Sequence, residues 1–344
     1  MGLALPKEFI DFSANINPLG PPTALKEKWV DFFREIHVYP DPFATKLTDM
    51  ISNVEQIKSD SILIGNGGAE LITLLGRMLA RKRVLIVEPT FSEYEEVCRA
   101  NQCEIVYHQL AEPEFTLNLT DLRSNLEDVD AMFLCNPNNP TGIHYPPSTI
   151  ISMVEECEKR GCLVILDEAF FDFLIEYESF VPYINRFSNL IIIRSLTKMF
   201  AIPGIRLGYL VAQPAIVSEL SKQQSHWSTN TIALLAGELC LQNKGFIKES
   251  QEFIGCERKR LFAFFYQNNY IASSSHVNFY LLQDPLLQDQ FTLFEFLLHQ
   301  GIIPRHTFNF PGLEGRWLRF AIKGYEENNR IMEVLAQWRH QHSS

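Results

Sequence analysis

Residues 191–210 concentrate the side chains with the clearest capacity for chemistry. Ser195 and Thr197 supply hydroxyl groups, Lys198 follows them, and Arg206 stands eight positions further on. This stretch holds three cations and no acid, a local charge of +3 in a chain whose net charge is −11. The charged form of a lysine is disfavoured among other cations in a cleft, which makes its amine available for Schiff-base chemistry. For Lys198 taken alone, an exposed lysine without a role is the alternative.

A carboxylate and a run of amides stand where two other apolar segments end. Asp167 follows the apolar run Leu163–Leu166. A carboxylate at the end of a buried strand needs a cation or several donors, unless it caps a helix. Residues 136–142 read Asn-Pro-Asn-Asn-Pro-Thr-Gly, which predicts a fixed loop that aims side-chain amides, or a structural turn.

The segment Gly65–Glu70 reads Gly-Asn-Gly-Gly-Ala-Glu and leads from a strand candidate into a helix that we expect to begin near Ala69. Free backbone N–H groups at a helix N-terminus suit a phosphate, although a plain tight turn explains the glycines equally well. Glu70 occupies the place of the third glycine in a dinucleotide-binding motif, and the Gly-Lys-Ser/Thr ending of a nucleotide-triphosphate loop is absent. A nicotinamide oxidoreductase is therefore disfavoured.

These polar segments follow short apolar runs that alternate with helical patterns. The strand candidates are Ser61–Ile64, Val84–Val87, Glu104–Tyr107, Ala131–Cys135, Leu163–Leu166, Leu190–Arg194 and Leu207–Ala212. Runs that are apolar throughout are typical of strands covered on both faces. One intervening helix is predicted to start at a Ser148 cap and to end at Gly161. The alternation predicts an α/β fold with a mostly parallel sheet, in which ligands bind beyond the carboxyl ends of the strands.

A strand-end Asp, an asparagine loop, a Ser-x-Thr-Lys segment with an arginine, and a glycine turn occur together in this chain. This constellation resembles the fold type I pyridoxal-phosphate-dependent aminotransferases of class I/II across nearly the whole chain. The resemblance implies pyridoxal 5′-phosphate as cofactor, with Lys198 bonded to its aldehyde carbon and Asp167 paired with its pyridine nitrogen, so that the ring acts as an electron sink. The further cofactor contacts that it implies are Asn139 on the phenolic oxygen, Phe91 stacked on the ring, and Gly68, Ala69, Ser195, Thr197 and Arg206 around the phosphate.

Two further positions bear on this resemblance. Tyr39, in Tyr-Pro-Asp, matches a tyrosine that reaches the phosphate from the other subunit, which implies a homodimer. Many of these aminotransferases have a tyrosine three residues after the strand-end Asp, where its hydroxyl helps to hold the ring oxygen. This chain has Phe170 there, so that donor is missing.

The alternation of strands and helices in the sequence ends at about residue 236. Together with the resemblance, this change gives the domain organisation that we expect. Residues 1–22 form an N-terminal arm that joins the small domain, 23–236 form the large cofactor-binding domain, and 237–344 form the small domain. We expect the small domain to be α+β, because its sequence turns to long helices with a few extended pieces.

Two subfamilies compete for the reaction. Residues 11–20, with Phe170 and residues 194–198, look like the threonine-phosphate decarboxylases of cobalamin biosynthesis, which convert L-threonine O-3-phosphate to (R)-1-amino-2-propanol phosphate. Histidinol-phosphate aminotransferases usually show a shorter Asn-x-Asn-Pro signature at the first of these segments. The decarboxylases usually carry an upstream His-Gly-Gly, which the ten residues before Asp11 lack, so part of the substrate-phosphate contact is missing or supplied otherwise. We favour decarboxylation, with histidinol-phosphate or a related aminotransferase as the alternative.

Three residues are candidates for substrate binding. Arg305, in Ile-Pro-Arg, and Arg319, in Trp-Leu-Arg-Phe, match two family positions that bind substrate anions, unless either makes a surface ion pair. An arginine fork suits a carboxylate or a phosphate. Asn15 is a further candidate contact for acidic groups. Either subfamily implies a small phosphorylated amino substrate.

The remaining composition narrows the class of protein. The charge of −11 argues against nucleic acid and anionic membranes as partners, and no apolar run approaches the ~20 residues of a membrane helix. Seven cysteines without a Cys-x-x-Cys pair predict buried free thiols in a reducing compartment. With no signal peptide recognised, we expect a cytoplasmic protein. Metal ligands are lacking, since His340 and His342 lie in a polar tail. A regulator with an aminotransferase-like sensor would carry a DNA-binding domain ahead of it, for which this chain has no room.

Overall fold

The computed structural model describes residues 8–176 and 178–342. The strands are β1 (Ile10–Asp11), β2 (Ile62–Gly65), β3 (Arg83–Glu88), β4 (Glu104–Gln109), β5 (Ala131–Cys135), β6 (Leu163–Asp167), β7 (Leu190–Ser195), β8 (Gly208–Val211), β9 (Ile271–Ala272), β10 (Phe279–Gln283), β11 (Ile302–Ile303), β12 (Arg305–His306) and β13 (Leu318–Ala321). The α-helices are α1 (Thr23–Glu35), α2 (Thr45–Glu55), α3 (Gly67–Met78), α4 (Glu93–Ala100), α5 (Leu119–Leu122), α6 (Pro147–Lys159), α7 (Leu196–Met199), α8 (Pro214–Gln223), α9 (Thr231–Gln242), α10 (Lys244–Gln267), α11 (Phe291–His299) and α12 (Tyr325–His342). Short 3₁₀ helices span Ser59–Ser61, Arg123–Leu126, Phe171–Phe173 and Val181–Asn185.

The larger sheet has the strand order β2-β8-β7-β6-β5-β3-β4. Strand β8 is antiparallel to both of its neighbours, and the other pairs are parallel. All seven predicted strands are present, with ends that differ from the prediction by at most two residues. The α/β fold with a mostly parallel sheet is therefore confirmed.

Both faces of this sheet are covered, which explains why its strands are apolar throughout. In β5, Ala131 and Phe133 pack into one apolar cluster, and Met132 and Leu134 pack into the other. Successive side chains of a strand point to opposite faces, so each face needs its own set of apolar residues. The polar residues are left at the strand ends, where the chain leaves the core.

The later part of the chain forms a four-stranded sheet with the order β12-β13-β10-β9. Helices α10, α11 and α12 lie in the same part of the sequence, before, between and after these strands. The beginning of the chain reaches this part, because β1 pairs in parallel with β11. The Phe12 carbonyl also accepts a hydrogen bond from the Ala321 N–H at 2.8 Å. The segment that follows β1 is thereby placed beside β13.

Three local details qualify the sequence analysis. Helix α6 begins at Pro147, one residue before the predicted Ser148 cap, because a proline at the first helical position has a suitable φ and needs no N–H partner. Gly161 follows the end of α6 with a φ of 70°, in line with the predicted stop. All seven cysteines are free and five are buried, but Cys103 is only half-buried and Cys256 is exposed, contrary to our expectation of burial. None of the helices in residues 8–176 and 178–342 has the length and apolar character that a membrane-spanning helix requires.

Candidate active site

One cavity of about 280 Å³ lies where strands of the larger sheet end. The predicted residues that line it are Asn15, Gly68, Ala69, Phe91, Asn139, Asp167, Ser195, Thr197, Lys198, Arg206, Arg305 and Arg319. Parallel strands place their carboxyl ends at the same edge, which brings residues from distant parts of the sequence together. Of the predicted site residues, only Tyr39 is not among the lining residues.

Asp167 ends β6 and lies buried at the floor of the cavity. Its Oδ2 accepts a hydrogen bond from the Tyr94 hydroxyl at 2.6 Å, and its Oδ1 accepts one from the Ala169 N–H at 2.9 Å. Burial raises the pKa of Asp167, and these two hydrogen bonds, together with the charge of Lys198, oppose that rise. The carboxylate is thus held by donors that favour its ionised form.

Lys198 lies in α7, the single helical turn that follows β7. Burial lowers the pKa of its amine, and Arg206 and Arg319 lower it further, whereas Asp167 opposes them. Its backbone carbonyl accepts a hydrogen bond from the Asn17 N–H at 3.2 Å, so the N-terminal segment is tied to this turn. The expected effect of neighbouring cations on the lysine is therefore present, although burial contributes more.

A polar corner of the cavity lies at the N-terminus of α3. The N–H groups of Gly68 and Ala69 belong to the first turn of this helix, where backbone donors have no partner within the helix. Gly67 has a φ of 77°, and a Cβ there would lie 2.5 Å from Nη2 of Arg206, so only glycine lets the guanidinium approach. This corner combines a helix N-terminus with a cation.

Two hydroxyl groups join the same cavity from the β7–α7 junction. Ser195 Oγ and Thr197 Oγ1 lie 2.9 Å apart and share a hydrogen bond. Both residues are buried. Hydroxyls whose hydrogen atoms can rotate are suitable donors to an anion, because each can turn its O–H toward the ligand.

The asparagine loop after β5 is fixed by its own side chains, as its sequence predicted. Asn138 Oδ1 accepts hydrogen bonds from the Thr141 N–H at 3.2 Å and the Thr141 hydroxyl at 2.8 Å. The next residue, Asn139, is buried and accepts a short hydrogen bond from Nη1 of Arg319. The loop therefore directs Asn139 into the cavity and against an arginine.

Arg305 and Arg319 face each other as directly paired residues of β12 and β13. Like charges opposite each other on neighbouring strands destabilise a sheet. Nη2 of Arg319 donates to the Ser13 carbonyl at 2.8 Å, and Arg305 bonds to His306 and Asn309. Burial and Arg305 lower the pKa of Arg319 to about 9, and no acid of the described chain opposes this shift. The pair is suited to an anion that would compensate both charges.

The net charge of the cavity lining supports the same inference. Lys198, Arg206, Arg305 and Arg319 line it, and Asp167 is the one carboxylate among the described lining residues. An excess of cations in a partly buried site favours anionic ligands. The overall charge of −11 thus describes the rest of the molecule and not this cavity.

Arg194 does not belong to this excess of cations, which corrects the local charge of +3 inferred from the sequence. Its Nε lies 2.7 Å from Oε2 of Glu168, and both side chains are buried. Its guanidinium also lies 3.5 Å from the ring centre of Phe171. Arg194 is absent from the cavity lining, since successive residues of β7 point to opposite faces.

Asn15, Phe91 and Phe170 complete the cavity wall. Oδ1 of Asn15 is buried and has no hydrogen-bond partner among the described residues, so a ligand could satisfy it. The Phe91 ring meets Tyr94 edge-on at 5.9 Å, and Phe170 meets Phe279 edge-on at 4.8 Å. Phe170 leaves an apolar wall where a tyrosine would supply a hydroxyl.

Tyr94 and Phe310 line the cavity but were missed by the sequence analysis. Tyr94 lies three residues after Phe91 at the start of α4, a spacing that could have suggested a shared face. Phe310 comes from the loop between β12 and β13, and nothing in its local sequence marks it. Tyr39 lies outside the cavity, 79% exposed, with its ring 5.0 Å from that of Trp227.

These groups fit pyridoxal phosphate by their chemistry. The α3 N-terminus, the two hydroxyls and Arg206 form a cradle for a phosphate, and a Cβ at Gly67 would displace the Arg206 guanidinium from it. Asp167 offers a buried carboxylate for a ring nitrogen, and Lys198 offers an amine for an aldehyde. The arginine pair lies in the same cavity as a second site for anions.

Comparison with known proteins gives consistent results. A family model described as aminotransferase class I and II matches residues 7–335. A threonine-phosphate decarboxylase from Salmonella typhimurium is 35% identical over 334 residues, which cover 96% of this chain and 91% of that protein. The crystal structure of a histidinol-phosphate aminotransferase from Clostridium acetobutylicum is 33% identical, with a TM-score of 0.91 over 96% of this chain and 99% of that one. A histidinol-phosphate aminotransferase from Sinorhizobium meliloti, crystallised with pyridoxal-5′-phosphate, shares the fold at 18% identity, with a TM-score of 0.88 over 97% of this chain and 92% of that one.

Proposed function

Because the chain belongs to the aminotransferase class I and II family, whose members work with pyridoxal phosphate, we propose that it decarboxylates L-threonine O-3-phosphate. The product would be (R)-1-amino-2-propanol phosphate, for cobalamin biosynthesis. The observation that carries this proposal is the pairing of Arg305 with Arg319 in the cavity that holds Lys198. A substrate with both a phosphate and a carboxylate would compensate both arginines.

We assign the cofactor contacts by chemistry and position. Lys198 Nζ would bond to the aldehyde carbon, since burial and two arginines lower the pKa of this amine and favour its neutral, nucleophilic form. Asp167 would hold a proton on the pyridine nitrogen, and Tyr94 and Ala169 would keep its carboxylate in place. The other proposed contacts are Phe91 on the ring face, Asn139 on the phenolic oxygen, and Gly68, Ala69, Ser195, Thr197 and Arg206 on the phosphate.

The substrate would bind between the cofactor and the arginine pair. Arg305 and Arg319 would hold its two acidic groups, and the unsatisfied Oδ1 of Asn15 would accept a hydrogen bond from its amino group or from a bridging water. The amide nitrogen of Asn15 can donate to an acidic group, which is the role expected for this residue from the sequence. These contacts orient the substrate, and orientation decides which bond at its Cα lies perpendicular to the ring.

The reaction requires removal of a carboxyl group and return of a proton. Bound pyridoxal phosphate supplies an electron sink for the electron pair that the departing CO₂ leaves behind. The amine of Lys198 would take up the proton that the substrate ammonium gives up and would then donate it to the same carbon. Phe170 lines the same cavity and adds no hydroxyl group that could compete with Lys198 as a proton donor.

A histidinol-phosphate aminotransferase is the second candidate function. The 33% identity and the TM-score of 0.91 with the Clostridium acetobutylicum enzyme favour it. Histidinol phosphate has no carboxylate, so Lys198 would then remove the Cα proton and amino transfer would follow. The same cofactor contacts would serve both reactions.

We further propose that the protein is a homodimer in which Tyr39 of one copy reaches the cofactor phosphate of the other. The exposed apolar side chains of α1 and the segment after it support a partner surface: Val30, Phe33, Ile36, Tyr39 and Phe43 are between 53% and 81% exposed. Exposed apolar groups of this number on neighbouring residues are typical of an interface. We call these five residues the α1 apolar face.

Parallel assays of the two reactions test the proposal. The purified protein with pyridoxal phosphate receives either L-threonine O-3-phosphate, with CO₂ release measured, or histidinol phosphate with 2-oxoglutarate, with glutamate measured. We expect turnover in the first assay. Turnover in the second assay alone would refute the decarboxylase proposal and support the aminotransferase.

A further inference from the structure

The guanidinium of Arg305 is held on three sides by neighbouring residues. Its Nη1 lies 3.1 Å from Nε2 of His306, and its Nη2 donates to Oδ1 of Asn309 at 3.0 Å. The guanidinium carbon lies 5.3 Å from the ring centre of Phe310, which lines the cavity. All three partners are uncharged or can be, so the positive charge of Arg305 stays available to a ligand.

The contact with Arg305 determines the protonation state of His306. An arginine side chain only donates hydrogen bonds, so Nε2 of His306 must accept and cannot carry a hydrogen. The proton of the neutral imidazole then resides on Nδ1, which is buried without a hydrogen-bond partner among the described residues. The imidazole thus serves as a neutral acceptor for a cation.

The surroundings of His306 favour this neutral form. Burial and the charge of Arg305 lower the pKa of His306. The side chains packed on its ring are Phe294, at 6.0 Å and nearly perpendicular, and Phe308, at 5.5 Å. Neither of these rings carries a charge, and the charge that acts on His306 within the described part of the chain is that of Arg305.

Free rotation of Arg305 would weaken an anion site. The side chain lies on the edge strand β12, opposite Arg319, and repulsion between the two cations would turn an unrestrained guanidinium toward solvent. The acceptors on Nη1 and Nη2, which belong to His306 and Asn309, oppose that rotation. The other N–H groups of Arg305 remain free to bind a ligand. A carboxylate in place of His306 would hold Arg305 as well, but it would compete with the ligand for its charge.

We propose that His306 is a positioning residue for the substrate anion: its neutral imidazole holds Arg305 toward the cavity without neutralising it. The inference rests on the proposed function only in that Arg305 binds an acidic group of the substrate. It requires no choice between decarboxylation and amino transfer, because both substrates carry a phosphate. The chemical class that this arrangement recognises is a phosphate monoester.

Two substitutions separate the acceptor from the shape of the ring. His306→Phe keeps a planar ring between Phe294 and Phe308 but removes the acceptor, whereas His306→Gln places a side-chain oxygen near the position of Nε2. The holoenzyme of each variant is titrated with inorganic phosphate by calorimetry, and KM and kcat are measured with L-threonine O-3-phosphate. Arg305→Gln serves as the reference for complete loss of the contact.

We expect His306→Phe to raise the dissociation constant for phosphate and the KM about tenfold, which corresponds to about 1.4 kcal/mol. The loss should fall mainly on KM, and His306→Gln should restore binding to within about threefold. The visible absorbance of the bound cofactor monitors folding in every variant. Phosphate binding by His306→Phe equal to that of the original protein, or equal losses in Phe and Gln variants, would overturn the inference.

Failure of the proposed function gives a different result. If the protein does not decarboxylate L-threonine O-3-phosphate, the phosphate titration still reports on Arg305. A tenfold weaker affinity in His306→Phe with rescue by His306→Gln would then support the positioning role in a protein of another activity. Absence of phosphate binding in the original holoenzyme would overturn the inference itself.

Discussion

Removal of the Tyr94 hydroxyl should weaken cofactor binding through Asp167. The Tyr94→Phe substitution keeps the buried ring, which stacks on Phe133 with centroids 4.9 Å apart, and removes the donor 2.6 Å from Oδ2 of Asp167. A hydrogen bond to a charged group contributes about 1.5–3 kcal/mol. If most of this energy is available only to the ionised carboxylate that binds the pyridine nitrogen, the dissociation constant for pyridoxal phosphate should rise about 10- to 100-fold.

The assay is a titration of apoprotein with pyridoxal phosphate, followed by the visible absorbance of the bound cofactor. The pH dependence has a fixed direction: the Tyr94 bond lowers the pKa of Asp167, so its loss raises that pKa. As the pH falls, the variant should therefore lose affinity at a higher pH than the original protein. Tyr107→Phe is the matched control, because its hydroxyl donates to Glu95 at 2.8 Å on a residue that is 39% exposed. Unchanged affinity in Tyr94→Phe, or equal losses in both variants, would refute this reasoning.

Three further substitutions test other parts of the account. Lys198→Ala should abolish the visible absorbance of covalently held cofactor, whereas Lys222→Ala, at an exposed position, should retain it. An absorbance that persists in Lys198→Ala would exclude Lys198 as the attachment site. Glu168→Gln should lower the free energy of unfolding by about 3 kcal/mol, because it removes the carboxylate 2.7 Å from the buried Arg194 and leaves it paired with Glu55, 3.9 Å away. Denaturant unfolding measures this, and Lys82→Ala, in an exposed pair with Asp130, should cost less than about 1 kcal/mol. Phe33→Asp, on the α1 apolar face, should give monomers in analytical ultracentrifugation. The control Tyr266→Asp, at a side chain 85% exposed on α10, should remain dimeric. A dimeric Phe33→Asp variant would contradict the proposed interface.

The larger sheet could be predicted from the sequence because burial on both faces leaves a simple signal. Runs such as Ala131–Cys135 are apolar at every position, and polar residues start where the strand ends. The two-residue strands β9, β11 and β12 carry no such signal, since pairing with β10, β1 and β13 creates them. Their position depends on tertiary contacts that no local pattern encodes.

Site residues could be predicted where a residue type is unusual for its place in the sequence. They could not be predicted where the alignment of two neighbouring strands decides which side chains meet. Lys198 and Asp167 stand out as charged residues after apolar runs. Arg194 looked like one more cation of the cavity, but its partner is set by the alignment of β6 with β7, where Asp167 pairs with Ile193. That alignment places Glu168 next to Arg194, a contact between residues 26 positions apart in the sequence. The holding of Arg305 by His306 likewise depends on side-chain rotamers.

The identity of the product formed from L-threonine O-3-phosphate in D₂O tests the central claim most directly. We predict an amino alcohol phosphate that keeps the substrate nitrogen, has lost the carboxyl group as one CO₂ per molecule, and carries one deuterium on the carbon to which the carboxyl group was attached. Mass spectrometry with nitrogen-15 substrate reads all three features together. A keto acid product without the nitrogen-15 label, or a substrate that exchanges its Cα hydrogen and keeps its carboxyl group, would contradict the account.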